Sequence, residues 1–359
     1  MMYDVTPIDA IEDWSRRLDR QDAFWRCEIL DRPLVMIQGW QERVKVPVKR
    51  HETHRERWFD AEWLAERSAA QIRNTNYYGD ALPQIMPNLG PEAFNAFLGM
   101  ELEFGESTSW SIPNLQNWHD IDKIAFSQDN PYWKKMCELT DALLSVGKNL
   151  FYVGLTDFHP GGDACAAFRD PLQFNIDMIE AHDEVKLLMR KVTDIYFKVF
   201  ELSRQRLSDA GQACGTWLGP LSRLTWYVPS NDFSCMISKE MFDDYFLPGI
   251  AEECRALQAS IYHLDGPGAL HHLDSLLSIP ELNAIQWVYG AGHGKATDWL
   301  HVYKKIQAAG KGIHLTVGPD ELDTVMAELS PAGAWMHVAG NFDQTEADAI
   351  IKRVSAWTK

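Results

Sequence analysis

The stretch that decides the fold is S-I-Y-H-L-D-G, residues 260–266, together with three runs of the same kind that follow it. A-I-Q-W-V-Y-G covers residues 284–290, G-I-H-L-T-V-G covers residues 312–318, and A-W-M-H-V-A-G covers residues 334–340. Each run is short and apolar, ends in glycine and precedes a segment with helical periodicity. Four strand-then-helix units in a row predict a parallel α/β arrangement.

The N-terminal half gives a looser version of the same pattern. Its predicted strands are Arg32–Gly39, Gln84–Leu89, Leu150–Phe158 and, as a fourth, either Ala213–Gly219 or Leu224–Phe233. A long helix is predicted from about His182 to Ala210, and Ser238 and Thr345 are predicted helix N-caps. No G-x-G-x-x-G fingerprint follows the first strand, so a dinucleotide-binding sheet is not supported.

Eight strands, each followed by a helix, predict an α/β fold of the (βα)8 TIM-barrel type. We expect one domain over residues 1–359, with an N-terminal helical extension and a β-rich insertion around residues 101–120.

Composition and net charge limit the classes of partner that we expect this protein to bind. The chain has 359 residues and a formal net charge of -17, which disfavours nucleic acid and anionic membranes as partners. The first thirty residues are charged and lack the apolar run of a secretory signal, and the six cysteines form no C-x-x-C pair. We therefore expect a cytoplasmic protein with a small-molecule substrate, and the sequence leaves a homodimer open.

Polar side chains recur at the predicted strand ends, where a TIM barrel builds its active site. His263 and Asp265 are two positions apart on the fifth strand and therefore point to one side. The candidate catalytic residues are His263, Asp265 and Asp157. The candidate substrate-binding residues are His159, Asp232, Trp287, Tyr289, His293 and His314.

Some of these residues have a second interpretation. Trp287 and Tyr289 share one face, which predicts either an aromatic wall of the pocket or packing against helices. Asp163 is more simply read as a cap of the next helix than as a catalytic group.

The sequence resembles the uroporphyrinogen decarboxylase superfamily, which includes methyltransferases that work with cobalamin proteins. The resemblance runs through R-P-L-V-M-I (32–37), P-N-L-G-P-E-A-F-N-A-F-L-G (87–99), F-Y-V-G-L-T-D-F-H-P-G-G-D (151–163), N-D-F-S-C-M-I-S-K-E-M-F-D-D-Y-F-L-P (231–248), I-Y-H-L-D-G (261–266) and H-V-A-G-N-F-D-Q-T-E-A-D-A-I (337–350).

The resemblance implies a metal site. In the methyltransferase branch a His-x-Cys pair after the fifth strand and a ligand from the eighth strand bind zinc. These positions fall on His263, on Asp265 in place of the cysteine, and approximately on His337. His314, His271 or Cys235 are alternatives for the third ligand. An Asp remains able to hold zinc or another divalent metal, but it also suits a hydrogen bond to substrate or to a backbone amide without metal.

The implied function is a metal-assisted methyltransferase that moves a methyl group between a small methylated compound and a corrinoid carried by a partner protein. One alternative is a decarboxylase-like lyase that acts on a carboxylated substrate without metal. The family's paired arginines after strand one are missing, with only Arg43 and Lys45 nearby, so the lyase ranks second. The other alternative is a non-enzymatic protein that binds a small ligand or a corrinoid.

Overall fold

The computed structural model describes residues 5–358 of the chain. The strands are β1 Leu34–Trp40, β2 Thr75–Gly79, β3 Gln84–Ile85, β4 Leu102–Phe104, β5 Ser109–Ser111, β6 Tyr152–Val153, β7 Cys214–Gly215, β8 Leu221–Ser222, β9 Trp226–Tyr227, β10 Ala259–Asp265, β11 Ala284–Val288, β12 Gly312–Val317 and β13 Ala334–Val338. The helices are α1 Trp14–Phe24, α2 His54–Phe59, α3 Ala61–Asn74, α4 Ala93–Phe97, α5 Pro131–Gly147, α6 Gly161–Arg169, α7 Pro171–Glu180, α8 His182–Asp209, α9 Lys239–Met241, α10 Leu247–Ala256, α11 Leu273–Leu277, α12 Leu300–Ala308, α13 Leu322–Glu328 and α14 Gln344–Ser355.

Seven strands form the central sheet, in the order β2-β1-β13-β12-β11-β10-β9. All neighbouring pairs are parallel except β1 with β2, which run antiparallel. The four units quoted at the outset supply β10 to β13, with helices between consecutive strands. The sequence pattern therefore predicted this half of the sheet correctly, because parallel strands need a crossover connection and a helix provides it.

The remaining strands form short pairs beside this sheet. β3 pairs with β6 in parallel, and β7 pairs with β8 antiparallel. The Leu155 amide donates to the Gly215 carbonyl at 2.8 Å, and the Gln84 side-chain amide donates to the Thr216 carbonyl at 2.7 Å. Across residues 5–358 the strand pairing does not close the sheet into a ring. The fold is thus a mixed α/β sheet compatible with a TIM-like arrangement.

The structure contains one strand that was not predicted and decides between the two candidates for the fourth strand, whereas the predicted second strand contains β3. β2 was not predicted, because its sequence T-N-Y-Y-G follows α3 directly and turns back along β1. Both candidates for the fourth strand contain short strands. The earlier one bends back as the β7–β8 hairpin, whereas the later one contains β9, which continues the parallel sheet beside β10.

Two peripheral elements frame the sheet. The N-terminal helix α1 is held by Gln21, whose amide donates to the Asp80 carbonyl at 2.8 Å, and by Asp22, which accepts from the Ser222 hydroxyl at 2.6 Å. Within the predicted insertion, β4 and β5 form an antiparallel hairpin, and a 3-10 helix, Trp118–Lys123, follows it.

One predicted helix cap is right and the other is wrong. Ser238 accepts from the Met241 amide at 3.3 Å at the start of α9. Thr345 lies inside α14, whose N-cap is Asp343. The Asp343 carboxylate accepts from the Glu346 amide and the Glu346 carboxylate accepts from the Asp343 amide, both at 2.9 Å. This reciprocal pair satisfies two helix-end amides at once, which a single threonine hydroxyl does not.

The register of the sheet determines which side chains share a face. His263, Gln286, His314 and Trp335 lie opposite one another on consecutive strands. Residues that are directly opposite in a sheet point to the same side, so these four side chains form one row across β10 to β13. Trp287 is paired with Leu264 in this register and points to the other side.

None of the helices between residues 5 and 358 has both the length and the apolar character needed to cross a membrane.

Candidate functional site

The candidate site begins at the carboxyl end of β10, where His263 and Asp265 share a face. His263 is held from two sides. Its Nδ1–H donates to the Gln286 side-chain oxygen on β11 at 2.6 Å, and the Trp217 ring packs edge-on against the imidazole at a centroid distance of 5.2 Å. Because the Gln286 oxygen can only accept, Nδ1 carries the hydrogen and Nε2 is left to bind another group.

Asp232 lies on the side to which His263 Nε2 points. It begins the 3-10 helix Asp232–Met236 that follows β9, and its Oδ1 is 4.0 Å from His263 Nε2. Potential ligand atoms of Asp232, His263 and Asp265 all lie within 4.8 Å of one another, and we call these three residues the trio. One imidazole nitrogen and two carboxylates at this spacing form a donor set that suits zinc or a harder divalent ion.

The electrostatics of Asp232 also favour a cation. Burial raises the pKa of Asp232, and the nearby carboxylates of Asp163 and Asp265 raise it further, while His159 and His263 lower it. Even so, 48% of the Asp232 side chain is exposed, so an ion can reach it from solvent. A divalent ion placed between these carboxylates would remove the repulsion that disfavours their charged forms.

A second cluster lies beside this trio and is an ion-paired network. His159 Nε2–H donates to Asp157 at 3.0 Å, and its Nδ1–H donates to Asp163 at 3.3 Å. Burial lowers the pKa of His159, but these two hydrogen bonds and charges outweigh it and raise the pKa well above its ordinary value. His159, Asp163 and Asp232 also have the spacing of a metal site. An imidazolium with both nitrogens donating cannot be a metal ligand, so we interpret this second trio as a salt-bridge network.

Asp163 joins the two clusters, which corrects the prediction that it caps the helix after it. Its carboxylate accepts from the Phe233 amide at 2.8 Å and from the Asp232 amide at 3.1 Å. Asp157, predicted to be catalytic, contacts His159 rather than the trio. The chain Asp157–His159–Asp163 therefore fixes the backbone that carries Asp232.

His337 is not a member of the trio, which differs from the predicted ligand set. It pairs in register with Thr316 on β12 and with Met36 on β1, three strands away from β10. The suggested substitutes are not members of the trio either. His271 Nε2–H donates to the Ile237 carbonyl at 3.0 Å, and Cys235 and His314 belong to neither of the two metal-like groups found among residues 5–358.

His314 occupies the same row as His263 and Gln286 but is enclosed. It is only 5% exposed, and neither ring nitrogen has a hydrogen-bond partner within the described part of the chain. Burial, with smaller contributions from His337 and His263, lowers the pKa of His314 to about 3. His314 is therefore a neutral imidazole in the interior beside Trp335, whose ring centroid is 4.1 Å away.

Three predicted substrate-binding residues lie away from the trio. The Trp287 ring packs edge-on against Trp299 at 5.1 Å, and the Tyr289 ring stacks on Trp299 at 6.3 Å. Of the two interpretations of this pair, packing against a helical segment is therefore the observed one. His293 is exposed in a glycine-rich loop, where its carbonyl accepts from the Trp299 indole at 2.9 Å.

A cavity of about 570 Å³ adjoins the trio through Asp232. Its lining includes His159, Asp163, Phe233, Glu92 and Ser111. Ligand pockets for small molecules are about 300–1,000 Å³, so this cavity could hold a small organic compound next to the trio.

Sequence reasoning missed several of these roles. Asp232 was predicted as a substrate contact, and neither Gln286 nor Trp217 was singled out. Gln286 did leave a signal, because it is the one strongly polar residue inside the apolar run A-I-Q-W-V. A buried polar group on a sheet needs a partner, and the next strand supplied His263. Trp217 left none, because its contact with His263 depends on the turn between β7 and β8.

Comparison with solved structures finds similar folds, and 22 chains match. One of them is a methyltransferase from Methanosarcina mazei, with a TM-score of 0.60 and 12% sequence identity. The alignment covers 95% of this chain and 98% of that one. This likeness shows a shared fold. Comparison with protein-family models gives no match, and comparison with curated proteins gives none either, so the resemblance to the uroporphyrinogen decarboxylase superfamily stays a prediction.

Proposed function

We propose that this protein is a metal-assisted methyltransferase that moves a methyl group between a small methylated compound and a corrinoid held by a separate partner protein. The observation that supports this most directly is the trio of His263, Asp265 and Asp232, with His263 Nε2 facing Asp232 and Gln286 behind the ring. The shared fold with a methyltransferase and the resemblance of the strand-end segments point in the same direction.

Contacts between the short strand pairs suggest a barrel-like arrangement, which would support the same function. The hydrogen bonds from Leu155 to Gly215 and from Gln84 to Thr216 connect the short strand pairs β3–β6 and β7–β8 side by side. The Trp226 indole donates to the Cys214 carbonyl at 2.8 Å and connects β7 to β9. We infer that these contacts complete a TIM-like barrel of the superfamily, with the trio at the carboxyl ends of its strands.

The metal would be held by His263 Nε2 and by one oxygen each of Asp232 and Asp265. Three protein ligands leave a coordination position open, and a metal in such a site supplies Lewis acidity to an oxygen, sulphur or nitrogen atom of the substrate. The carboxylate of Asp265 replaces the thiolate of the related methyltransferases, which favours zinc or a harder ion such as Mn²⁺ over softer metals. Asp157, His159 and Asp163 position Asp232, and the cavity beside it receives the substrate.

The lyase alternative is less well supported. A polycarboxylate substrate needs basic side chains, and the lining of the cavity contains four carboxylates and, among residues 5–358, no lysine or arginine. Arg43, one of the two basic residues in the stretch after the first strand, donates to the Arg73 carbonyl at 2.8 Å beside α3.

Metal binding tests the ligand assignment directly. Protein stripped with a chelator should bind Zn²⁺ or Co²⁺ at one site per chain, and His263→Ala and Asp232→Ala should each weaken binding by about tenfold or more, because each removes one of three ligands. His337→Ala is the matched control and should bind the metal as the unchanged protein does. Equal weakening by His337→Ala and none by Asp232→Ala would support the set expected from the sequence and overturn ours.

Methyl transfer tests the reaction itself. Metal-loaded protein should methylate free cob(I)alamin with a suitable methylated compound, and chelation or His263→Ala should abolish transfer. Turnover of a carboxylated substrate that survives chelation would favour the lyase. Tight ligand binding without turnover, unchanged in His263→Ala, would favour the non-enzymatic binding protein.

A further inference from the structure

The cavity beside Asp232 carries a net negative lining. Its acidic residues are Glu92, Asp163, Asp170 and Asp232. The basic group at the cavity is His159, and its charge is already shared between Asp157 and Asp163. Asp163 is paired with His159 and Asp232 belongs to the proposed metal trio, so the carboxylates left to face a ligand are Glu92 and Asp170. No lysine or arginine in the described range lines the cavity to offset them, so a cationic ligand is favoured there over a neutral one.

The acidic groups are held in place rather than free to turn away. Glu92 accepts from the Ser111 amide at the β4–β5 hairpin. Asp170 accepts from the Leu172 amide at 2.9 Å and caps α7. Because backbone amides hold both side chains, the two carboxylates are fixed in the lining of the cavity.

The other walls are apolar. They consist of Pro91, Pro113, Ala166, Ala167, Phe233 and Met236. Such surfaces favour methyl groups, and an aromatic ring near an ammonium ion adds an attraction between the cation and the ring face. Apolar walls together with fixed carboxylates suit a cation whose charge is spread over methyl groups.

One polar group on this surface lacks a partner. The Ser111 hydroxyl has no hydrogen-bond partner among residues 5–358, and the residue is only 8% exposed. Buried hydroxyls normally form hydrogen bonds, so this one is available to a ligand that fills the cavity. It lies at the hairpin end of the lining, next to Glu92.

We propose that this cavity binds a methylated ammonium compound, and that a hydroxyl or similar polar group of the compound reaches Ser111. This inference rests on the proposed methyltransferase function and names its methylated compound by class, as against methoxyarenes and methylthiols.

The test compares ligands of one shape and different charge. Choline and its uncharged analogue 3,3-dimethylbutan-1-ol are titrated into the full-length metal-loaded protein by calorimetry, without corrinoid. Choline should bind at least about tenfold more tightly than the alcohol, since the two differ only in the charge of the central atom. Equal binding of choline and the alcohol, or tighter binding of the alcohol, overturns the proposal.

Variants test whether the preference for choline over the alcohol arises from the carboxylates of the cavity. Glu92→Gln and Asp170→Asn keep the hydrogen-bonding shape, and each should weaken choline by about threefold to tenfold while leaving the alcohol unchanged. Asn also tolerates the positive φ of 79° at position 170. Asp343→Asn is the matched control, because it removes the same charge from another helix N-cap, at α14, and should leave choline binding unchanged. Equal weakening by the control would assign the effect to overall charge and contradict the proposal.

A separate comparison tests the contact between the ligand hydroxyl and Ser111. Choline should bind more tightly than tetramethylammonium, and Ser111→Ala should remove that difference. An undiminished preference in Ser111→Ala overturns the assignment of this hydroxyl.

Failure of this inference and failure of the proposed function give different results. Selective choline binding without methyl transfer would overturn the methyltransferase alone. Metal-dependent transfer from uncharged methyl donors, without selectivity for choline, would overturn the cation site alone.

Discussion

Gln286 shows how one side chain can set the tautomer and the orientation of its neighbour. It lies opposite His263 in the register of β10 and β11, and its oxygen fixes the hydrogen on Nδ1. Ligating histidines commonly donate their second nitrogen in this way, and the partner sets both tautomer and ring orientation. Gln286 is therefore a positioning residue for the proposed centre.

Removing this hydrogen bond gives the residue-scale prediction. Gln286→Leu should weaken Zn²⁺ or Co²⁺ binding by about 10-fold to 100-fold, because the imidazole loses its fixed tautomer and orientation. Gln286→Glu restores an acceptor oxygen and should bind the metal at least as well as the unchanged protein. A metal titration of the two variants checks this, and unchanged affinity in Gln286→Leu would remove the positioning role.

At the scale of elements, the site depends on how loops are attached to strands. The segment that carries Asp232 is fixed by amides that donate to Asp163 at the start of α6, and this contact joins segments about seventy residues apart. No local pattern predicts such a bond, because a carboxylate in a first helical turn most often caps its own helix.

Helix α14 offers a clean test of one local rule. Asp343→Ala should lower the free energy of unfolding by about 1 kcal/mol, because it removes the N-cap and leaves a helix-end amide without its partner. Thr345→Ala should have a much smaller effect, since the threonine lies within the helix. Urea denaturation of both variants makes the comparison, and a larger loss for Thr345→Ala would contradict the observed cap.

At the scale of the whole molecule, Glu253 links stability to pH. It is buried on α10, and its Oε2 has no hydrogen-bond partner in the described chain. Burial, aided by the charges of Asp163 and Glu252 and opposed by His159, raises the pKa of Glu253 from 4.5 to about 8. A carboxyl with a raised folded pKa favours folding fully below its unfolded pKa and loses this contribution as the pH rises through the folded value.

Glu253→Gln should therefore stabilise the protein increasingly as the pH rises from about 4.5 to about 8, because glutamine stays neutral. The gain relative to pH 4 should level off above the folded pKa and be on the order of a few kcal/mol. Denaturation curves at pH 4, 6 and 8.5 measure it, with Glu281→Gln, an exposed glutamate, as the control. A gain independent of pH would show that burial does not shift this carboxyl.

The sequence by itself determined the parallel half of the sheet and the placement of His263 and Asp265 on one face of a strand. Both follow from local periodicity, since apolar runs ending in glycine make strands, and residues two apart on a strand share a face. Only the tertiary structure decided that Asp232 rather than His337 completes the trio, that Gln286 orients His263, and that Trp287 and Tyr289 pack against Trp299. These relations join residues from different strands and loops. They depend on sheet register and loop attachment, which hydrophobic periodicity along the chain does not encode.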